Sequence, residues 1–274
     1  MKNMFWAIGL SFIACSHFST LSTPYPLELS AKEGDVQTAS IEIERETKFY
    51  EQTELSRTST RKLRLKLNSK VSKVDARGSF WVENTTLQKE GDDQLNDLGF
   101  PELGEKLVMK LNSSGEVLAV KDKAKGTIFY LPPVLLPKTS VRVGEHWTRT
   151  YFWKSPGNPM RMKTEVHCTL KGQEIFWERE VLRVELETLS QVAEAHVQNI
   201  RFESRSQGYF LWDVKKARVI YSESQAKERL EFITEEHKME TVTKFISKDL
   251  DFDSAVGRKN SSLPPLRAIQ KESK

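Results

Sequence analysis

Apolar and polar residues alternate one by one over long stretches of this chain, the pattern of β-strands that bury one face. Ile41 and Ile43 alternate with glutamates, and Leu63, Leu65 and Leu67 alternate with lysines and an arginine. In a strand, successive side chains point to opposite faces. Each stretch therefore predicts a strand with an aliphatic face and a charged face.

These two stretches predict an antiparallel hairpin that turns near Glu54. In this hairpin Glu42 faces Lys66 and Glu44 faces Arg64, so the opposite charges share one side and the aliphatic side chains share the other. Cross-strand charge pairs contribute roughly 0.2 to 1 kcal/mol each, and less when water surrounds them. The charge pattern and the apolar pattern thus favour the same pairing.

The same alternation predicts strands along most of the remaining chain. The segment around "NSSG" predicts a hairpin between residues 107–111 and 117–120, and "GYFLWDVKKARVIYSES" predicts a strand, a turn at residues 213–216 and a second strand. Residues 94–98 are expected to form a short helical turn. Further strands are expected at residues 80–82, 141–152, 160–170 and 182–186, with one long last strand at residues 227–248.

The predicted fold is predominantly all-β, an antiparallel curved sheet or half-barrel with few short helices. It is arranged either as one sheet or as two tandem sheets. We expect a signal peptide at residues 1–14, a flexible tether at 15–35, an antiparallel β body at 36–252 and a disordered basic tail at 253–274. Residues 36–125 and 140–252 are the candidate halves of the body. A length of 274 residues is enough to bury a core without disulfides.

The first residues have the order of a secretory signal. Lys2 precedes an apolar run at residues 5–14, and a charged start followed by a short apolar segment is typical of export. The run is too short to span a bilayer, which takes roughly 20 apolar residues. The sequence therefore predicts export from the cytoplasm.

Phe12, Ile13, Ala14 and Cys15 resemble the lipobox of bacterial lipoproteins, in which a small residue precedes the cysteine that becomes the acylated N-terminus. The sequence departs from that pattern at Phe12, where the family usually has leucine. The resemblance implies lipidation of Cys15 and, because Ser16 is not aspartate, an outer-membrane anchor facing the periplasm or the cell surface. The alternative is ordinary cleavage after Ser16, which gives a soluble periplasmic or secreted protein.

Cys168 is the second cysteine of the chain. Acylation of Cys15 or removal of the signal leaves it without a partner. An unpaired cysteine in a strand behaves as a small hydrophobe. We therefore expect Cys168 in the core.

Two further segments resemble a group of uncharacterised exported bacterial β-proteins. The segment "LPKTSVRVGEHW" has a Leu-Pro pair, spaced valines, Gly144, an acid and Trp147, and "GYFLWD" leads into a second strand. The resemblance implies an antiparallel, half-barrel-like body and no known reaction. Physically, Gly144 suits a tight turn into a strand, and Trp147 suits packing on the core.

No catalytic or metal-binding motif is present in the sequence. The five histidines do not have metal-ligand spacing, and neither H-E-x-x-H nor C-x-x-C nor G-x-S-x-G occurs. No enzyme, no metal and no cofactor are predicted, although a carboxylate pair of a cell-wall or glycan hydrolase needs only to meet in space. The net charge of +4 comes largely from the tail, which disfavours nucleic acid as the main partner.

The sequence predicts a non-enzymatic envelope lipoprotein whose partners are the membrane, reached through the lipid anchor, and a lipid or other apolar ligand held by the curved sheet. The alternative is an envelope scaffold that binds another protein without a small ligand. The candidate ligand-binding residues are apolar: Tyr130, Leu131, Val134, Leu135, Trp147, Met160 and Met162.

Overall fold

The computed structural model describes residues 23–92, 100–121, 136–154, 161–193, 200–232 and 237–250, and every structural statement below concerns these residues. They form an almost entirely antiparallel β-structure. Its strands are β1 (Val36–Glu51), β2 (Glu54–Val74), β3 (Phe80–Gly91), β4 (Lys106–Leu111), β5 (Val117–Val120), β6 (His146–Lys154), β7 (Arg161–Phe176), β8 (Arg179–Val192), β9 (Ile200–Asp213), β10 (Arg218–Phe232) and β11 (His237–Asp249).

All eleven strands belong to one open curved sheet in the order β5-β4-β3-β2-β1-β11-β10-β9-β8-β7-β6. Strands β1 to β5 and strands β6 to β11 each run as a meander of sequential neighbours. The first and last strands join the two meanders, with Ala39 opposite Asp249 and Glu51 opposite His237. The all-β prediction is confirmed, and the halves form one sheet rather than two tandem sheets.

The β1–β2 hairpin has the predicted faces but a different register. The turn lies at Gln52 and Thr53, so Glu42 faces Arg64 and Glu44 faces Lys62. Both pairs are ion pairs, at 3.7 and 3.5 Å. The predicted register was wrong by two residues. A shift of two keeps every side chain on its own face, so the aliphatic pattern alone could not detect it.

The single long strand predicted at residues 227–248 is wrong. The structure has two antiparallel strands there, β10 and β11, with Phe232 opposite His237. Leu230 and Met239 are opposite each other in this hairpin and therefore share a face. They are nine residues apart, and in one continuous strand an odd separation would place their side chains on opposite faces. The apolar alternation thus changes phase between β10 and β11.

Most of the core lies on one face of the sheet, which we call the inner face. Because residues directly opposite each other in an antiparallel pair share a face, the register of the strands places three clusters on it. The first cluster is centred on Leu170 and Trp212, the second on Ile43 and Leu65, and the third on Phe80. Cys168 belongs to the first cluster and is 2% exposed, which confirms its prediction as a core residue.

The opposite, outer face carries a smaller apolar cluster that includes Val181, Leu211 and Tyr221. The end of the β7–β8 hairpin covers it, since the ring of Phe176 lies 5.5 Å from that of Tyr221 and packs against the cluster. Strand β8 is therefore buried on both faces at this end. As a result, the successive residues Val181 and Leu182 are both buried, against the usual alternation.

The chain before β1, from Tyr25 to Asp35, crosses one end of the sheet, and we call it the strap. Tyr25 exchanges two backbone hydrogen bonds with Val141, at 2.7 and 3.0 Å, and Leu29 donates its N–H to the carbonyl of Ser113 at 2.7 Å. Leu27 is 1% exposed and packs in the first core cluster. The prediction of a flexible tether therefore does not hold for residues 25–35.

The strap end of the sheet also brings its two edges together. Ser114, in the turn between β4 and β5, accepts a backbone hydrogen bond from Leu136 at 3.0 Å. Its hydroxyl accepts a second bond from Arg149 of β6 at 3.1 Å. The sheet is thus tied across its opening at the strap end. We call the opposite end of the sheet, where the β1–β2 turn lies, the far end.

No helix among the described residues is both long and apolar enough to cross a membrane. The predicted signal peptide, helical turn at residues 94–98 and basic tail lie outside the described residues.

Candidate functional site

Beyond the apolar core, toward the far end, the inner face carries a band of hydroxyl side chains. Strand register aligns them in two neighbouring rows on strands β1, β11, β9, β8 and β7. Strand β10, between β11 and β9, contributes Glu228 to the first row and Ala226 to the second. We call these residues the hydroxyl band: Thr47, Thr241, Ser204, Ser190 and Thr164 in one row, and Thr243, Ser206 and Thr188 in the other.

Hydrogen bonds within the band allow it to be buried. The hydroxyls of Thr164 and Ser190 lie 2.6 Å apart, and those of Thr188 and Ser206 also lie 2.6 Å apart. Thr164 is 2% exposed. A hydroxyl group has one donor and two acceptor positions, so each pair keeps capacity for a further hydrogen bond to a polar group.

Cationic side chains flank the band on the inner face. Arg45 of β1 donates from Nε to the hydroxyl of Thr243 at 3.2 Å. Its neighbour on β2, Arg61, forms an ion pair with Asp92 at 3.6 Å. Arg149 lies at the other side of the band, on β6. The band is therefore polar and bordered by positive charge at both sides.

Nearer the far end, the next inner-face position on seven neighbouring strands is apolar, and we call this line the apolar row. Except for the buried Met162, its side chains are half-buried rather than part of the core clusters. The apolar row consists of Phe49, Met239, Leu230, Phe202, Val192, Met162 and Trp153.

The apolar row and the hydroxyl band are in direct contact. The indole Nε1 of Trp153 donates to the hydroxyl of Thr164 at 2.8 Å. Burial raises the pKa of Tyr151, the band's neighbour on β6, which also bonds to Thr164. Tyr151 therefore stays a neutral phenol at physiological pH. The two surfaces together present a polar zone, which contains Glu228 between Thr241 and Ser204, beside an apolar one.

The structure describes two of the predicted ligand-binding residues and does not bring them together. Trp147 packs against the first core cluster, opposite Cys168, whereas Met162 lies in the apolar row. Cys168 and Met162 are six residues apart on β7, a distance of roughly 20 Å along the strand. Tyr130, Leu131, Val134, Leu135 and Met160 lie outside the described residues, as does Cys15.

The hydroxyl band was not predicted from the sequence. Its signal is a hydroxyl residue at every second position of one strand, as at Thr188 and Ser190 of β8 and at Ser204 and Ser206 of β9. Such spacing is also typical of solvated strand faces. Only the register showed that these positions share the core's face.

The nucleophile and metal ligands that we considered do not assemble into a reactive site in the part of the chain that the structure describes. Burial raises the pKa of the Cys168 thiol to about 12, so it is protonated at neutral pH. His167 is exposed and bonds to Thr148 at 3.1 Å, and it lies on the face opposite Cys168. None of the described His, Cys, Asp and Glu residues form a group of three that could hold a metal ion.

No protein-family model matches the chain, and no functionally curated protein matches it either. Among solved structures, it is similar to the hypothetical lipoprotein YmcC from Escherichia coli (K12), with a TM-score of 0.30 and 10% identity over 73% of this chain and 85% of that one. It is also similar to a protein with YmcC-like fold from Bacteroides fragilis NCTC 9343, with a TM-score of 0.26 and 11% identity over 81% and 98% of the two chains. TM-scores this low do not indicate a function, so a function can be inferred only from the residues of this chain.

Proposed function

We propose that this chain is an exported, non-enzymatic envelope lipoprotein that is anchored through Cys15 and binds a lipid on the inner face of its sheet. The anchor rests on the lipobox-like residues 12–15, and the outer membrane is favoured because Ser16 is not aspartate. The ligand rests on one observation, the contact between the apolar row and the hydroxyl band.

A lipid fits this surface in one orientation. Its acyl chains lie against the apolar row, where each buried CH₂ contributes about 0.8 kcal/mol. Its polar head lies on the hydroxyl band, whose hydroxyls accept and donate hydrogen bonds. Arg45 and Arg149 border that zone and Glu228 lies within it, so the head group meets charges of both signs. Small-molecule sites generally combine an apolar lining with a few polar groups that fix orientation.

A ligand extraction experiment tests the binding proposal. Protein purified from envelopes under mild conditions is extracted with organic solvent, and the extract is analysed by mass spectrometry. We expect a lipid in stoichiometric amounts. The Leu230→Asp variant should lose most of it, because a carboxylate in the middle of the apolar row would have to be desolvated beside acyl chains.

Phe152→Asp is the matched control. Phe152 is 46% exposed and lies on the outer face, next in sequence to Trp153 of the apolar row. The substitution places the same charge on β6, on the opposite face of the same sheet, so the lipid content of this variant should equal that of the wild type. Protein that is free of lipid in repeated mild preparations, or an equal loss in both variants, would contradict lipid binding and favour the scaffold alternative.

The anchor has its own test. Radiolabelled palmitate should be incorporated into the wild type and not into Cys15→Ser. Equal labelling of the two proteins, or no labelling of either, would remove the lipid anchor from the proposal.

A further inference from the structure

The apolar row is long across the strands and narrow along them. It contains one side chain from each of its neighbouring strands, from Phe49 on β1 to Trp153 on β6. Neighbouring strands lie about 4.8 Å apart, so the row is roughly 29 Å long. In the other direction, inner-face positions of one strand repeat about every 7 Å, and the row is a single position wide.

Both ends of the row are defined. On β2 the position opposite Phe49 is Arg57, whose guanidinium lies 4.3 Å from the centre of the Phe49 ring. At the other end, β6 is the last strand of the described sheet. An apolar ligand that lies along the row therefore meets a cation beyond Phe49 and the edge of the sheet beyond Trp153.

Polar positions border most of the row on its long sides. The hydroxyl band lies one position nearer the core, with Thr47 beside Phe49. One position nearer the far end, the described residues are Glu51, His237, Phe232 and Ile200. Only the last two extend the apolar surface, over two strands. Over most of the row, an acyl chain that ran along the strands would thus leave apolar contact within about 7 Å.

We infer that the ligand of this site is a lipid with a single acyl chain, and that this chain lies across the strands along the apolar row. The inference rests on the proposed lipid binding and adds the class of lipid. An extended hydrocarbon with bonds of about 1.5 Å advances about 1.25 Å per carbon, so the row accommodates a chain of up to about 23 carbons. Carbon atoms in contact lie about 4 Å apart, so the width of one position holds one chain.

A second chain finds no apolar contact with the described part of the row. Beside the first chain it would cover the hydroxyl band or the exposed Glu51 and His237, and burying polar groups without new hydrogen bonds costs free energy. End to end, two chains of 16 carbons would need about 40 Å, which exceeds the row. A monoacyl lipid, such as a fatty acid or a lysophospholipid, would bury its chain and still reach the hydroxyl band with its head.

The lipid released from the native protein tests the class directly. Mass spectrometry of the non-covalently bound lipid should find a monoacyl species in stoichiometric amounts. A diacyl lipid in stoichiometric amounts would overturn this inference and leave the proposed lipid binding intact. Protein that is free of lipid in repeated mild preparations would overturn both, because the inference presupposes the site.

Two substitutions at the ends of the row test how the chain lies. The probes are saturated fatty acids of 12 and of 22 carbons, delivered from cyclodextrin to the full-length, delipidated protein. Phe49 and Trp153 lie roughly 29 Å apart, and the extended probes cover about 15 and 28 Å. We expect Phe49→Ala and Trp153→Ala each to weaken binding of the longer probe about fivefold. At most one of them should weaken binding of the shorter probe.

Phe152→Ala is the matched control, because Phe152 precedes Trp153 in the sequence and lies on the outer face; it should change neither dissociation constant. If Trp153→Ala does not fold, Val192→Ala replaces it, since Val192 lies about 19 Å from Phe49, beyond the reach of the shorter probe. Equal weakening of the shorter probe by both end variants would overturn the inference. So would a longer probe whose binding is unchanged by either end variant.

Discussion

Leu27→Ala measures whether the strap belongs to the folded body. The leucine is 1% exposed and packs with Leu136 and Trp212 in the first core cluster. Removing three carbons loses about 2.4 kcal/mol of transfer free energy, and the cavity that remains adds to this loss. We expect the free energy of unfolding to fall by about 3 kcal/mol, which lowers the melting temperature by roughly 6 to 12 °C for a domain of this size.

The assay is urea unfolding followed by tryptophan fluorescence, with a thermal melt as a second probe. Leu103→Ala is the matched control, because Leu103 is 63% exposed and its truncation should cost less than about 0.5 kcal/mol. If Leu27→Ala were as mild as this control, the strap would not be part of the cooperative unit. The reasoning from its burial and its hydrogen bonds would then be refuted.

Three further changes test other parts of the sheet. Gly208→Ala should destabilise strongly or prevent folding, because a Cβ there would lie 2.2 Å from the carbonyl oxygen of Glu223; circular dichroism and a thermal melt will show this. Asp249→Asn should lower the free energy of unfolding by about 3 kcal/mol, since the fully buried carboxylate pairs with Arg218 at 2.7 Å. Cys168 should resist iodoacetamide in the native protein. Its pKa of about 12, raised from 9.0, also predicts that stability present below pH 9 is lost between pH 9 and 12, by up to about 1.4 kcal/mol per pH unit.

Controls for these changes come from the same sites. Replacing both Arg218 and Asp249 with apolar residues should cost less than Asp249→Asn alone, because no charge is left unpaired; an equal or larger cost would contradict the ion-pair explanation. Cys168→Ala should remove the cysteine's share of the alkaline loss. A native protein that is alkylated as fast as the unfolded chain would show that Cys168 is not in the core.

The local pattern predicted the strands well because alternation is a property of neighbouring residues. It predicted both faces of the β1–β2 hairpin and the β4–β5 hairpin around "NSSG", which the structure confirms. The pattern did not predict that residues 227–248 form two strands, because the alternation changes phase between Leu230 and Met239. It also failed at the register of Glu42, because the position of a turn and not the alternation decides register.

The candidate site was less accessible to sequence reasoning than the fold. The predicted strand at residues 160–170 includes Met162, but its neighbours in the apolar row come from six other strands. A row of this kind is assembled across strands, so its members share no spacing in the sequence.

The sequence by itself determined the strand content, the inward or outward direction of most side chains and the core position of Cys168, since all three depend on local periodicity and polarity. Only the tertiary structure decided that Ala39 pairs with Asp249, that Tyr25 and Leu29 tie the strap to both sides of the opening, and that hydroxyl side chains from five strands share two rows of the inner face. These contacts join residues far apart in the chain, and their free energy appears only when the strands pack together.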